Sequence, residues 1–230
     1  MRATGKDGFL YSITFGEPIV GEADKTLDKS GFYKIKSIAA ADSGIPKKDS
    51  AAGDDAIDLA PDMVYYGRKG QKLVEGDVVI PMQLNKISFV TDVSDSSQST
   101  SHDITTQADV DTGLRAYAAG AFKDRTGSIS GYVETNSPEQ MELLKEYRMV
   151  IVDDGNSVTV YRSVTKLHHY MLSRAERVPE GDREMWEYFP VITEQLTMDK
   201  PMDGAQPFNF NYRVDGSAKP VTYFLTKEAA

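Results

Sequence analysis

Three histidines, at positions 102, 168 and 169, are the side chains of this sequence whose ordinary pKa lies nearest neutrality, so general acid or base chemistry would start from them. His168 and His169 are adjacent within a strand-like run, where neighbours point to opposite faces and cannot share one metal ion. They read as a surface or interface pair. His102-Asp103 follows Ser96, Ser97, Ser99 and Ser101, which makes a nominal Ser-His-Asp set. Neighbours in one flexible segment do not build a triad, which needs mutual geometry and an oxyanion hole, and no Gly-x-Ser-x-Gly elbow accompanies them.

The carboxylates are numerous, but a glycosidase pair is defined by spatial separation and no spacing here singles one out. Asp153-Asp154-Gly155-Asn156 superficially suggests a calcium loop, yet the chain passes straight into Val158-Thr159-Val160, so a hairpin turn is expected. Phosphate-binding and dinucleotide motifs are missing, and with no cysteine there is no thiolate nucleophile or thiolate metal site. The sole tryptophan, Trp186, could stack on a sugar if exposed; a core or subunit-interface strand is the favoured reading, because large aromatics dominate such burial. The expectation is a chain without catalysis, cofactor or metal.

The elements that would carry these residues are mostly strands: short alternating runs rich in Val, Ile, Thr, Tyr and Phe, cut by Gly, Pro, Asp and Asn. Strands are expected at 9–15, 32–38, 63–66, 77–80, 86–93, 128–134, 149–152, 157–163, 166–176, 185–198, 206–214 and 221–226. Residues 39–62 read as a long excursion with at most a brief strand near Ile57–Leu59. A polar connection at 94–101 leads to a return strand through 102–106, and 116–122 fits neither pattern. One helix is expected from Ser137 to Tyr147: Ser137 caps it, Pro138 suits its first position, and Met141, Leu144 and Tyr147 share a face.

Across 230 residues, 26 Lys+Arg stand against 35 Asp+Glu, a balance of −9 without long charged blocks. That argues against adhesion to nucleic acid, which needs clustered cations. The first residues lack the 7–15-residue apolar stretch of a secretory signal, and no window approaches the ~18 apolar residues of a membrane span, so a cytosolic, soluble chain is expected.

From residue 84 the order of elements is familiar: the strand around Ile87-Ser88-Phe89-Val90, the polar loop, Asp103-Ile104-Thr105-Thr106, then Lys123-Asp124-Arg125-Thr126-Gly127-Ser128 turning into a strand, and the short helix. This resembles the tail tube (major tail) proteins of tailed bacteriophages, over roughly residues 84–215. The family motif falls on Asp103, Thr105, Asp124, Gly127 and Ser128. The resemblance implies a mainly β fold, two packed antiparallel sheets as a sandwich or partly closed barrel with one flanking helix, in a single domain spanning 1–230 with 39–76 as a loop-rich elaboration. It implies six copies in a ring, rings stacked into the virion tail, and assembly in the host cytoplasm. The partners would be the chain itself, baseplate, tape measure and tail terminator proteins, with DNA passing through the lumen without specific binding and no membrane involved. On this reading Ser94, Asp95, Ser96, Ser97, Gln98 and Ser99 form a mobile loop that orders when rings stack. The alternatives are a carbohydrate- or receptor-binding β-sandwich, or a terminator or baseplate ring of the same fold.

Overall fold

The computed structural model of the chain describes residues 8–23, 25–40, 42–48, 57–87, 90–98, 107–108, 115–116, 124–134, 137–178, 181–201 and 203–226. It is mainly β. In chain order the strands are β1 (Gly8–Phe15), β2 (Ile19–Val20), β3 (Gly31–Ser37), β4 (Val64–Gly67), β5 (Val78–Lys86), β6 (Val90–Gln98), β7 (Gln107–Ala108), β8 (Arg115–Ala116) and β9 (Asp124–Tyr132). The helix α1 (Pro138–Tyr147) follows, then β10 (Val150–Asp153), β11 (Val158–Tyr161), β12 (Leu167–Val178), β13 (Gly181–Met198), β14 (Pro207–Val214) and β15 (Val221–Thr226). No helix among the described residues is long and apolar enough to cross a membrane.

Eleven strands form one antiparallel sheet in the order β4-β3-β5-β1-β12-β13-β14-β9-β6, with β2 also on β5 and β15 also on β13. The expected pair of packed sheets is thus a single hydrogen-bonded sheet, and it does not close into a barrel. Two layers arise all the same, because the sheet coils on itself. Four strand pairings separate β3 from β13, which in a flat sheet is about 19 Å, yet the rings of Phe32 and Trp186 lie 5.3 Å apart. Right-handed twist accumulated over many strands drives this coiling, and burial of the enclosed aromatics rewards it.

Strands β12 and β13 are the spine, and at residues 170–172 and 188–191 they are apolar on both faces. Tyr170, Leu172, Phe189 and Val191 join Phe210 and Tyr212 of β14 in one core, while Met171 and Tyr188 turn the other way, toward Phe32, Val64 and Met82. Such two-sided burial explains why this part of the sequence reads as a near-continuous apolar run. β13 keeps β12 along one side and divides its other side, pairing β15 from Arg183 to Tyr188 and β14 from Val191 onward. Pro190, which has no N–H to give, occupies the gap between those partners, a position a central strand rarely tolerates elsewhere.

Residues 39–76 add a smaller core in which Ile45, Tyr65 and Leu73 meet Tyr33, Ile35 and Val79. Its loops are tied by Asp77, fully buried, whose carboxylate accepts from the N–H groups of Ala39 (2.9 Å), Gly44 (3.0 Å) and Val74 (3.1 Å) and from the Ser43 hydroxyl (2.6 Å). Burial pushes that carboxyl up, but these four donors outweigh it and hold it below the ordinary carboxylate range. The brief strand expected near Ile57–Leu59 does not form; Ile57 is exposed, without a neighbouring strand.

The helix starts as its sequence requires, with Ser137 Oγ accepting from Gln140 N–H at 3.3 Å and Pro138 in the first turn. Its inward stripe differs from the expected one. Gln140, Leu143 and Glu146 are buried, whereas Met141, Leu144 and Tyr147 are only half-buried. Polar groups left over where the sheet ends account for this shift: Gln140 Oε1 accepts from Glu134 N–H (2.7 Å) and its Nε2 donates to the Tyr132 carbonyl (3.0 Å).

Candidate assembly surfaces

The histidine pair is split between the two faces of β12, as its adjacency requires, but neither ring is a free surface group. His169 Nδ1 lies 2.8 Å from the Tyr188 hydroxyl, with the Phe15 ring edge-on at 4.8 Å. Burial, helped by the charge of Lys34 and by His168, lowers its pKa to about 4, so the ring is neutral at physiological pH. His168 Nε2 instead meets Glu146 Oε1 across the helix interface. Glu146 also accepts from the Thr193 hydroxyl at 2.6 Å and from Lys166 N–H at 3.1 Å. Burial pushes this carboxyl up as well, and the His168 and Thr193 hydrogen bonds, with attraction to His168 and the Lys166 N–H, bring it below its ordinary value. One side chain thereby ties α1 to β12, to β13 and to the segment leaving β11. Sequence reading missed Glu146 and Thr193; the available signal was a carboxylate repeating at three-residue spacing with Gln140 and Leu143.

Trp186 faces the coiled interior. Its ring lies against Tyr11 (5.8 Å) and Phe32 (5.3 Å), and its Nε1 donates to Glu184 at 3.3 Å. This is the core-strand environment, not an exposed platform for a sugar.

The segment expected to be a polar mobile loop is largely a strand. Ser94, Asp95, Ser96, Ser97 and Gln98 belong to β6 and pair with Ser128, Gly127, Thr126, Arg125 and Asp124 of β9. The turn expected at Asp124–Ser128 is likewise part of β9. Gly127 serves close approach: a Cβ there would stand 2.2 Å from the Ser94 carbonyl oxygen and 2.4 Å from the Tyr212 hydroxyl, which itself donates to that carbonyl at 3.0 Å. Ser94 and Ser128 hydroxyls meet at 2.8 Å. Val90 and Val93, earlier in the same strand, pack against the main core. Ser99, Asp103, Thr105 and the return strand at 102–106 lie outside the described residues. Among the described residues, β6 pairs with β9 alone, leaving its other edge of N–H and C=O groups open.

A second surface stands off the sheet. β10 and β11 form their own hairpin, with Ile151 opposite Val160 and Asp153 opposite Val158 on one face, Val150 opposite Tyr161 and Val152 opposite Thr159 on the other. The turn is the expected one: Gly155 takes φ +84°, and Asp154 Oδ1 accepts from Asn156 and Ser157 N–H groups. The root is fastened to α1. Lys145 Nζ sits 3.8 Å over the Tyr161 ring, the Ser163 hydroxyl donates to the Glu146 carbonyl, and Lys166 Nζ reaches Glu142 at 3.0 Å.

No family model matches the chain, and no curated protein does. Among solved structures, a chain of the tail of an empty gene transfer agent particle, determined with C6 helical symmetry, is similar at a TM-score of 0.37 and 11% identity, covering 64% of this chain and 87% of that one.

Proposed function

We propose that this chain is a structural subunit of a phage-like tail tube, acting by self-assembly without catalytic turnover: six copies close a ring, rings stack, and the bore conducts DNA. The single observation that carries the reading is the open sheet ending on β6, a nine-residue strand whose outer edge is free among the described residues. An open edge of that length is an aggregation hazard unless a defined partner covers it, and rotational repetition of one chain covers it and closes. The composition of β6, rich in Ser, Thr and Asp, favours a hydrogen-bonded, reversible contact over apolar collapse. The net charge of −9 suits a conduit from which phosphate must slide freely. The sequence of β9, the short helix and the closing strands agrees with the order of elements in that family.

Negative-stain microscopy of the concentrated protein tests this. Rings and tubes are expected; rings that never stack would move the assignment to a terminator or baseplate ring, and monomers at every concentration and salt would end it. Along a strand, successive N–H groups point to alternate sides. Ser96→Pro and Ser97→Pro, made separately, should therefore divide, one weakening the β6–β9 pairing and the other leaving the monomer intact while abolishing rings.

A further inference from the structure

We propose that Asp203-Gly204, in the exposed connection between β13 and β14, is a site of covalent self-modification, where the chain isomerises from aspartate to isoaspartate without an enzyme. An aspartate followed by glycine can cyclise, because the glycine amide nitrogen lies near the side-chain carboxyl carbon and no Cβ crowds it. The sequence holds four such pairs, beginning at Asp7, Asp154, Asp203 and Asp215. Asp7 lies outside the described residues, and the fold separates the other three.

Asp154 and Asp215 are both tied down. Asp154 Oδ1 accepts from the Ser157 N–H at 2.6 Å and the Asn156 N–H at 2.9 Å, and its Oδ2 accepts from the Ser157 hydroxyl at 3.1 Å. The Gly155 N–H that would attack it donates instead to Asp153 Oδ1 at 2.8 Å. The Ser157 and Asn156 N–H groups also hold the Asp154 carboxyl below its ordinary range, in the ionised form whose carbon resists attack. Asp215 caps the 3-10 turn Gly216–Ala218, its Oδ1 accepting from the Ser217 N–H (2.9 Å) and hydroxyl (2.7 Å). Its own N–H and carbonyl are engaged by Pro190 and Ala218.

Asp203 and Gly204 stand apart. Both are exposed, and among the described residues no hydrogen bond reaches either of them. Gly204, at φ +98°, has open space where a Cβ would lie. The β13–β14 ladder ends with Met198 opposite Phe208. Beyond it the loop is tied at its ends, by the Asp199 N–H to the Pro207 carbonyl (3.3 Å) and the Val133 N–H to the Gln206 carbonyl (2.8 Å). The Asp203 side chain can therefore swing over its own main chain without first breaking a bond. In the step itself the Gly204 nitrogen attacks Asp203 Cγ: a C–N bond forms, the nitrogen gives up its proton, a carboxyl C–O bond breaks and one water leaves. Water then opens the cyclic imide. Addition at the α-carbonyl routes the main chain through Cβ as isoaspartate, and addition at Cγ restores aspartate, so the change is an isomerisation with no oxidant or reductant.

The test is peptide mapping of the full chain after weeks at neutral pH and body temperature, with electron-transfer fragmentation to tell isoaspartate from aspartate. Isoaspartate should accumulate at position 203 about tenfold or more faster than at 154 and 215, because those two must first break two or three hydrogen bonds. In concentrated guanidinium chloride, where the fold and its hydrogen bonds are lost, the three rates should converge. Asp203→Glu, whose longer side chain closes such a ring far more slowly, should abolish the signal and leave the melting curve unchanged, since the loop lies outside the β13–β14 ladder. Isoaspartate at Asp154 or Asp215 as fast as at Asp203 in the folded chain would overturn the proposal. So would no isoaspartate at Asp203 in the folded chain, whatever the unfolded chain does. An unfolded chain that keeps the same preference would make local sequence the cause and overturn the role given to the fold.

Discussion

Glu146 is where one substitution should tell most. Replacing it by Ala removes the acceptor shared by the Thr193 hydroxyl, Lys166 N–H and His168 Nε2, at a junction where Glu146 and Thr193 are buried and His168 is half-buried. Each donor left unmet costs about 1–3 kcal/mol, and water entering the vacated space recovers part of it. The net loss should be about 3–5 kcal/mol, the range found when one partner of a buried pair is removed. With a urea dependence of about 2–3 kcal/mol per molar for a chain of this size, the unfolding midpoint of the monomer falls by about 1–2 M at unchanged slope. Glu146→Gln keeps an acceptor and the shape and should lose about half as much. Against the push of burial, the wild-type carboxyl is held below its ordinary value by its hydrogen bonds to His168 and Thr193, so its contribution is fully present above that ordinary value and disappears as pH falls through the lowered native one. Both variants should therefore flatten the stability profile below about pH 4.5 relative to wild type. A midpoint shift of the Ala variant under about 0.4 M, less than ~1 kcal/mol, would refute the junction as an energetic tie.

Two further outcomes follow from other sites. His169, with its pKa lowered to about 4 against 6.5 unfolded, binds fewer protons folded than unfolded, so stability should decline as pH falls from 6.5 toward 4. The ceiling is about 3 kcal/mol; His169→Phe should remove that slope while leaving the one below pH 4.5, and NMR titration of the ring checks the value directly. Gly127→Ala drives a methyl into the Ser94 carbonyl and the Tyr212 hydroxyl and should destabilise by about 1–3 kcal/mol, with hydrogen exchange accelerating first in β6 and β9.

Much of this architecture was legible from residue types. The Asp154-Gly155 turn located the β10–β11 hairpin because only a few residues tolerate positive φ, and Ser137-Pro138-Glu139 located the helix start because capping chemistry is local. What escaped depends on neighbours distant in sequence. Ser94–Gln98 read as loop because the apolar residues of β6 stop at Val93, while its pairing with β9 is made by the backbone and leaves no mark on residue type. The helix presents Gln140 and Glu146 inward because a sheet end and an exit segment need partners there, a demand that nothing between Ser137 and Tyr147 announces. The long apolar run around Trp186 announced burial but not that one strand would serve two partners in succession, β15 and then β14.

The unclosed coil has a mechanical consequence. A closed barrel has its diameter set by strand number and shear, and changing it means re-registering hydrogen bonds. Here, among the described residues, eight pairings lie in series between the end strands β4 and β6, and the twist per pairing ranges over about 25° among sheets. A change of about 2° at each, well inside the natural spread, turns one edge against the other by roughly 16°. The sheet is a split spring, able to set the pitch of its two edges to whatever neighbour it meets while every ladder bond stays made.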